Sequence, residues 1–291
     1  AGSAVFGKYL LGYDTTHVVG TFLHELGHLL GLAHVSLYQQ LLTDPFGYEP
    51  DYLLYASTMY AGEYKSSIEG ERITLNPDDM AGIASLYPSS NNPTQTATIN
   101  GNVFKADGTP MTHANVVIRN LEDPWCGTYA FMSGRTCTAS TTELCENQNN
   151  ADGSFTISSI PPGSYTLEVE GFGDKNNYLY SISPGIYDNP PSLTGDAEFW
   201  NENDAISEDP LKYTMLTLSA GETRDDINIT LSDTVHKDTQ SLMIPKSQFS
   251  FPENTACIAD TTDYDLLIGI KNPTATEGST SSTGGCSLIF R

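Results

Sequence analysis

Residues 152–170 read DGSFTISSIPPGSYTLEVE, and this stretch decides the fold. Two runs rich in β-branched and aromatic residues, 153–160 and 164–171, flank a Pro-Pro-Gly turn, which is typical of two neighbouring strands. Outward from this pair, similar short runs bounded by glycine and proline turns occur. They lie at 98–104, 115–121, 212–218 and 224–231. The pattern predicts an antiparallel β-sandwich over 97–232.

Three stretches of this region carry a resemblance to a known family. Residues 99–118 (INGNVFKADGTPMTHANVVI), 152–170 and 218–231 (LSAGETRDDINITL) resemble the carboxypeptidase-regulatory-like (transthyretin-like) β-sandwiches. Two insertions, 122–152 and 173–211, depart from the compact form of that family. The resemblance implies a spacer or adhesion module that holds the protein on extracellular matrix or a cell surface.

A second stretch, HELGHLLGLAH at 24–34, contains candidate metal-binding residues. On an α-helix, His24 and His28 lie four residues apart on one face, so both imidazoles can point at one ion. Gly31 can adopt a left-handed conformation that ends the helix, and the turn then brings His34 round as a third ligand. The spacing predicts a zinc site made of these three histidines.

The ligand set also predicts the reaction. Three neutral imidazoles leave the fourth position of tetrahedral zinc to water, which is typical of catalytic sites. Zinc activates that water for attack on a carbonyl group. Glu25, next to the first ligand, is the predicted general base that moves the proton to the leaving amine.

Downstream residues resemble the metzincin peptidases and, among these, the matrixins. Residues 56–64 (ASTMYAGEY) resemble the Met-turn, which implies Met59 as the structural base beneath the histidines. Ala61 stands where related enzymes have a tyrosine ligand, so no tyrosine ligand is expected. Residues 75–88 (LNPDDMAGIASLYP) resemble the closing helix of the matrixins. There, Asp78 and Asp79 would anchor the activated N-terminus, and the residues from Met59 to this helix would form the wall of the S1′ pocket.

The chain departs from the matrixin pattern at several points. Val35 follows the third histidine in place of the usual serine, and an insert with tyrosines 48, 52 and 55 lengthens the interval to Met59. We expect these tyrosines to pack, and the alternative is that they line the cleft. Roughly 17 residues precede the helix, too few for the metzincin N-terminal sheet. Three explanations stay open: internal cleavage, a missing part supplied from elsewhere, or lost activity.

These observations predict a multidomain α+β fold. The expected divisions are a metzincin zinc-helix subdomain (1–88), a linker (89–96, SSNNPTQT), an all-β antiparallel sandwich (97–232) and a partly irregular C-terminal segment (233–291). Within the last, STGGCSL (282–288) resembles bacterial C-terminal sorting elements, and a flexible tail with a disulfide cysteine is the alternative.

Composition limits the partners. The chain carries 36 acidic against 13 basic residues, a net charge of −23, which disfavours nucleic acid and anionic membrane surfaces. Absence of an apolar run of ~18 residues argues against membrane insertion. The acidic surface favours solubility in an extracellular medium, and Ca²⁺ is a second candidate ion.

The chain has five cysteines, 126, 137, 145, 257 and 286, of which the first three lie in a polar segment without metal-ligand spacing and predict disulfides in a secreted protein. One cysteine is left over or pairs between chains, and Cys286 is the candidate. The other histidines are not expected to bind zinc. His17 is about 10.5 Å of helix away from His24, and His113 and His236 are expected to be ordinary surface residues.

The sequence therefore predicts a secreted zinc metalloendopeptidase that cleaves protein or peptide substrates. The alternative is an extracellular structural or adhesive protein that retains an inactive zinc-binding peptidase remnant.

Overall fold

The computed structural model describes residues 15–35, 57–59, 75–112, 114–123, 126–134, 152–170, 198–206 and 212–233. Its helices are α1 (Thr15–Leu29), α2 (Pro77–Leu86) and α3 (Asn92–Gln95). Its strands are β1 (Ala97–Phe104), β2 (Asn115–Asn120), β3 (Thr128–Met132), β4 (Ser154–Ile160), β5 (Gly163–Glu170), β6 (Glu198–Phe199), β7 (Leu216–Leu218) and β8 (Thr223–Thr230). None of the described helices is both long and apolar enough to cross a bilayer.

The strands form two sheets that face each other. One has the order β4-β1-β8, and the other has the order β3-β2-β5-β6, with β7 also paired to β5. Because side chains alternate between the faces of a strand, every second residue points into the space between the sheets. Ile99, Ile118, Leu167 and Ile227 are fully buried there and form the core.

One strand pair departs from the expected antiparallel arrangement. β1 and β8 pair in parallel, with Val103 opposite Ile229, whereas the other paired strands of the described residues are antiparallel. Parallel neighbours need a long connection, and here almost the whole sandwich lies between the two strands. The prediction of a purely antiparallel sandwich was wrong for this pair.

Strand positions agree with the sequence pattern where the pattern was clear. The bounds of β1, β2, β4, β5 and β8 lie within about one residue of the predicted runs. Two strands were missed: β3 lies in the predicted insertion 122–152, and β6 lies in the insertion 173–211. The region taken as two insertions therefore contributes strands to the five-stranded sheet.

The predicted multidomain α+β class was wrong for the described part of the chain, which has eight strands in two sheets and three helices. The physical reason is that α2 packs on the sandwich. Ala81 of α2 is 5% exposed and belongs to the sandwich core. The backbone N–H of Ala130 in β3 donates to the Asp78 carboxyl group, with N and Oδ1 2.9 Å apart. α2 thus covers the open side between the edge strands β3 and β4. The domain boundaries stay predictions.

The segment predicted to be a linker, 89–96, contains α3 and is held by buried polar contacts. The Asn92 side chain donates from Nδ2 to the Ala84 carbonyl oxygen and to Ser159 Oγ, both at 3.0 Å. Thr96 Oγ1 donates to the Asn92 carbonyl oxygen at 2.8 Å. Ser159 has a φ of 61°, a strained value for a residue with a side chain, at the point where this network meets β4. Buried polar groups therefore fix the connection between α2 and β1.

Asp78 makes the contact between α2 and β3 sensitive to pH. Burial, and next the neighbouring Asp79, raise the pKa of Asp78 from 3.8 to about 8. In the folded protein the group therefore stays protonated up to about pH 8, whereas in the unfolded chain it ionises near pH 4. Between these values the unfolded state binds fewer protons, so the free energy of unfolding falls as the pH rises.

We expect Asp78→Asn to remove this dependence, because an amide is isosteric with the neutral acid and does not titrate. Urea unfolding between pH 5 and pH 8 measures the free energy of unfolding. The wild-type curve should fall more steeply than that of the variant, by at most about 1.4 kcal/mol per pH unit. Asp233→Asn, at an exposed position, controls for the lost charge. Equal slopes for Asp78→Asn and wild type would contradict the raised pKa.

Candidate metal centre

The end of α1 turns the chain back toward the helix. Gly31 has a φ of 99°, as the sequence predicted, and this left-handed conformation is one that glycine adopts without a steric penalty. The Leu32 N–H donates to the Gly27 carbonyl oxygen at 2.9 Å, and the Gly31 N–H donates to the His28 carbonyl oxygen at 3.0 Å. This pair of hydrogen bonds is a Schellman motif, which satisfies the last carbonyl groups of the helix. The reversed chain then carries His34 back to the helix face.

The three predicted ligand side chains come together. The Nε2 atoms of His24, His28 and His34 form a triangle with sides of 3.0, 3.1 and 3.2 Å. The radius of the circle through such a triangle is about 1.8 Å, which is shorter than the zinc–nitrogen distance of about 2.0 to 2.1 Å. Points therefore exist at bonding distance from all three nitrogens. Among the described residues, these three form the one group of His, Cys, Asp or Glu side chains close enough to share an ion.

Two of the rings have their other nitrogen committed to a backbone carbonyl group. His24 Nδ1 lies 2.7 Å from the Thr58 oxygen, and His28 Nδ1 lies 2.9 Å from the Leu32 oxygen. A carbonyl oxygen only accepts, so Nδ1 carries the proton in both rings and Nε2 has a lone pair. Two lone pairs then face each other at 3.1 Å, an arrangement that repels unless a cation lies between them. The donor set thus fits a metal ion that prefers imidazole.

Electrostatics keep the first ligand in the form that binds a metal. All three rings are half-buried. Burial lowers the pKa of His24 below its usual value, although the hydrogen bond to Thr58 opposes this effect. At neutral pH, His24 is therefore a neutral imidazole, which is the protonation state of a zinc ligand. The Glu25 side chain, next along α1, is exposed and near enough to act electrostatically on His24.

Met59 lies against the helix between the two helical ligands. Its side chain is 2% exposed, and its sulfur occupies the space that a Cβ atom on Gly27 would need. The Val35 N–H donates to the Met59 carbonyl oxygen at 3.1 Å, which ties the His34 segment to the same turn. Gly27 is thus a necessary glycine, although the metal-binding pattern leaves that position variable.

Asp79 holds the Met59 turn. This buried carboxylate accepts four hydrogen bonds, from Ser57 Oγ at 2.5 Å and from the backbone N–H groups of Thr58, Met59 and Asn76 at 3.0 to 3.1 Å. The resemblance to the matrixins implied that Asp78 and Asp79 anchor the N-terminus, and residues 1–14 lie outside the described residues. The anchoring stays a prediction. Within the described part of the chain, Asp79 fixes the turn, a role that no sequence pattern indicated.

A mostly apolar cavity of about 440 Å³ lies between the histidine segment and the sandwich. His34, Met59 and Asp78 line one side, and Ala130, Phe155 and other residues of β3 and β4 line the other. Glu25, His24 and His28 do not line it. The cavity is therefore on the Met59 side of the triad and is not the space into which the Glu25 carboxylate projects.

Several predicted residues lie outside the described part of the chain. They are residues 60–74 of the predicted S1′ wall, Ala61 included, tyrosines 48, 52 and 55, His113, His236 and four of the five cysteines. Cys126 is described and forms a disulfide. His17 lies in α1, seven residues before His24, and its side chain is not described.

Comparisons with known proteins give no family. No family model and no curated protein matches the chain. Solved structures that are weakly similar include the dioxygenase domain of a dioxygenase carbohydrate-binding protein fusion from Streptomyces sp. SirexAA-E, with 16% identity, coverage of 50% of this chain and 85% of that chain, and a TM-score of 0.24.

Two further structures are similar at the same low level. A candidate carbohydrate-binding protein from Pseudomonas aeruginosa has 11% identity, coverage of 48% and 92%, and a TM-score of 0.21. The major pilin subunit of Bacillus cereus has 12% identity, coverage of 47% and 30%, and a TM-score of 0.21. At these TM-scores the similarities carry no argument about this chain.

We expect Asp79→Asn to destabilise the protein by about 3 kcal/mol or more, because an amide offers one acceptor oxygen and directs a donor at the other backbone N–H groups. Urea unfolding at pH 7 measures the change. The neighbouring Asp78→Asn is the matched control, since it makes the same substitution one residue away, at an acid that is already neutral in the folded protein at pH 7, and should not destabilise. If both variants unfold at the same urea concentration, Asp79 does not hold the turn.

Proposed function

We propose that this protein is a secreted zinc-dependent endopeptidase that hydrolyses peptide bonds in proteins or peptides. The observation that carries the proposal is the convergence of three Nε2 atoms within 3.2 Å, with the Nδ1 atoms of His24 and His28 held by backbone carbonyl groups. Without a cation this arrangement is unfavourable, because the lone pairs of His24 Nε2 and His28 Nε2 repel each other. His24, His28 and His34 would hold the ion.

The chemistry of the ion follows from its ligands. When bound, zinc polarises a carbonyl group and activates water at neutral pH. Three imidazoles carry no net charge, so the full positive charge of the ion is available to the reaction.

Glu25 is the proposed general base. It follows the first ligand directly, and its carboxylate is exposed rather than committed to a buried partner. An exposed carboxylate can approach a substrate, take a proton from the attacking water at one of its Oε atoms, and give it to the nitrogen of the leaving amine. This transfer separates a peptidase from a protein that only stores the metal.

Other observations support an extracellular location. Cys126 forms a disulfide, which persists mainly in oxidising compartments. The net charge of −23 suits solubility outside the cell. In this proposal the sandwich attaches the enzyme to matrix or to a cell surface, and Ca²⁺ remains a second candidate ion for the acidic surface.

One observation favours the second candidate, an extracellular structural or adhesive protein with an inactive zinc site. Three apolar side chains of α1 are exposed near Glu25: Val19 by 38%, Phe22 by 47% and Leu29 by 47%. Phe22 and Leu29 lie three residues before and four residues after Glu25, on the same helix face. This face of α1 is exposed, whereas a peptidase needs a second wall there to bind a substrate.

We expect the wild-type chain to bind one zinc ion and the His34→Ala variant to lose that ion. Two imidazoles on the helix cannot replace the third ligand, so the affinity should fall by at least about 100-fold. Competition with a chromophoric chelator measures the affinity. His17→Ala is the matched control and should bind as the wild type does. A stoichiometry near zero in the wild type would remove the basis of the proposed function.

We expect Glu25→Gln to keep the zinc and to lose proteolysis by a factor of about 10² to 10⁴, because an amide cannot accept the proton. Cleavage of an unfolded protein substrate, with and without a chelator, measures the activity. Chelator-sensitive cleavage by the wild type supports the peptidase. Stoichiometric zinc without cleavage in either protein favours the structural alternative, and full activity in Glu25→Gln would show that another group acts as the base.

A further inference from the structure

The described contacts connect the histidine triad to the sandwich through α2. On one side of α2, Ala81 lies in the sandwich core, the Asp78 carboxyl group accepts the Ala130 N–H at 2.9 Å, and Ser85 Oγ accepts a hydrogen bond from Ser158 Oγ at 2.8 Å. From the other side, Asp79 accepts the four hydrogen bonds of the Met59 turn and the helix start. One short helix therefore contacts both structures.

The Met59 turn also holds the histidine ligands in position. Thr58 donates its N–H to Asp79 at 3.0 Å and accepts the His24 Nδ1 proton on its carbonyl oxygen at 2.7 Å. Met59 fills the space beside Gly27 in α1 and accepts the Val35 N–H, which holds the segment that carries His34. Each link is a direct contact between named atoms, so a shift of α2 moves the turn, and a shift of the turn moves two of the three rings.

α1 is a helix that needs support from the rest of the fold. It has 15 residues, close to the length at which an isolated helix is marginal in water. Its apolar side chains Val19, Phe22 and Leu29 are exposed. A further tie runs from the same side, since the Tyr87 hydroxyl group, directly after α2, donates to the Leu30 carbonyl oxygen at 2.9 Å. α2, the residue after it and the Met59 turn therefore hold α1 through several direct contacts.

We propose that the β-sandwich is part of the scaffold of the metal centre and not only a spacer, with Asp78 and Ala81 as positioning residues that act on the ligands through α2 and the Met59 turn. The inference rests on the zinc site of the proposed function. Ligands in a metal site need placement within about 0.5 Å, and groups behind them change the affinity about 10- to 100-fold. The sandwich supplies that placement from the side opposite Glu25.

Binding of Co²⁺ to the full chain tests the proposal, because its visible absorption reports ligand geometry as well as affinity. Ala81→Asp places a charge in the sandwich core and displaces α2. Asp78→Leu removes the acceptor of the Ala130 N–H, while Asp78→Asn keeps a carbonyl oxygen there and is the rescue variant. Ile229→Ala weakens the core at β8, on the edge of the three-stranded sheet away from α2, and is the control for stability alone.

We expect Ala81→Asp and Asp78→Leu to bind Co²⁺ at least about tenfold more weakly, with a changed spectrum, below their unfolding temperatures. Asp78→Asn and Ile229→Ala should keep the affinity and the spectrum, even though Ile229→Ala lowers the melting temperature. If Ala81→Asp does not fold, Asp78→Leu and its rescue decide the question.

Two results would overturn the inference. One is wild-type affinity and spectrum in Asp78→Leu and in folded Ala81→Asp, and the other is a loss in Ile229→Ala equal to theirs. These outcomes leave the zinc site intact. Absence of Co²⁺ and Zn²⁺ binding by the wild type would instead overturn the proposed function, and this inference with it.

Discussion

The Asp79 carboxylate lies in the protein interior, 2% exposed, and a charged group in that position must find donors. It finds four, and two of them are consecutive backbone N–H groups of the Met59 turn, those of Thr58 and Met59. The turn likewise needs an acceptor, since its buried N–H groups are not paired within a strand or a helix. One carboxylate therefore determines the conformation of a turn that has little structure of its own.

The conformation of that turn determines where two backbone carbonyl groups lie, and these groups position the metal centre. With its N–H facing Asp79, Thr58 presents its oxygen to His24 Nδ1, and Met59 presents its oxygen to Val35. A proton held at Nδ1 keeps Nε2 as an acceptor, so the hydrogen bond selects the tautomer that binds a metal. The three Nε2 atoms then lie close together, and those of His24 and His28 are both acceptors. Such preorganisation opposes folding of the metal-free chain, and metal binding would release the repulsion and stabilise the fold.

The strands of the sandwich could be predicted where local pattern decides them. Alternation between glycine and proline turns located β1, β2, β4, β5 and β8, because a half-buried strand imposes that pattern on its own sequence. The parallel pairing of β1 with β8 could not be predicted, since pairing depends on a partner about 125 residues away. β3 was missed although TYAFM suits a strand, because it lies in a region that departs from the compact form of the family it resembles and was taken as an insertion. The α+β assignment was wrong because it also depended on distant contacts. A helical pattern can show that α2 has a buried face, but it does not show that a β-sheet covers that face.

The histidines of the site were predicted and their supports were not. The spacing of four residues on a helix and the glycine that ends the helix determine local geometry. Local sequence therefore predicts that His24, His28 and His34 come together. The acceptors at Thr58 and Leu32 are backbone oxygens, which every residue has, and no side-chain pattern indicates them. No sequence pattern indicated that position 27 must be glycine, because only the fold shows that the Met59 side chain occupies the space of a Cβ atom there.

Asp78 and Asp79 show how one helical step separates two roles for the same residue type. A step of about 100° around α2 turns one carboxyl group toward the Met59 turn and the other toward β3. Asp79 meets four donors, and a carboxylate is the form that accepts them all. Asp78 is half-buried, and burial together with the neighbouring acid raises its pKa to about 8, although the hydrogen bond from the Ala130 N–H opposes this effect. Since a neutral acid can lie beside an apolar core and a charge cannot without cost, α2 contacts the sandwich through Asp78 and the turn through Asp79. The order of the two residues along the helix therefore decides which structure each of them contacts.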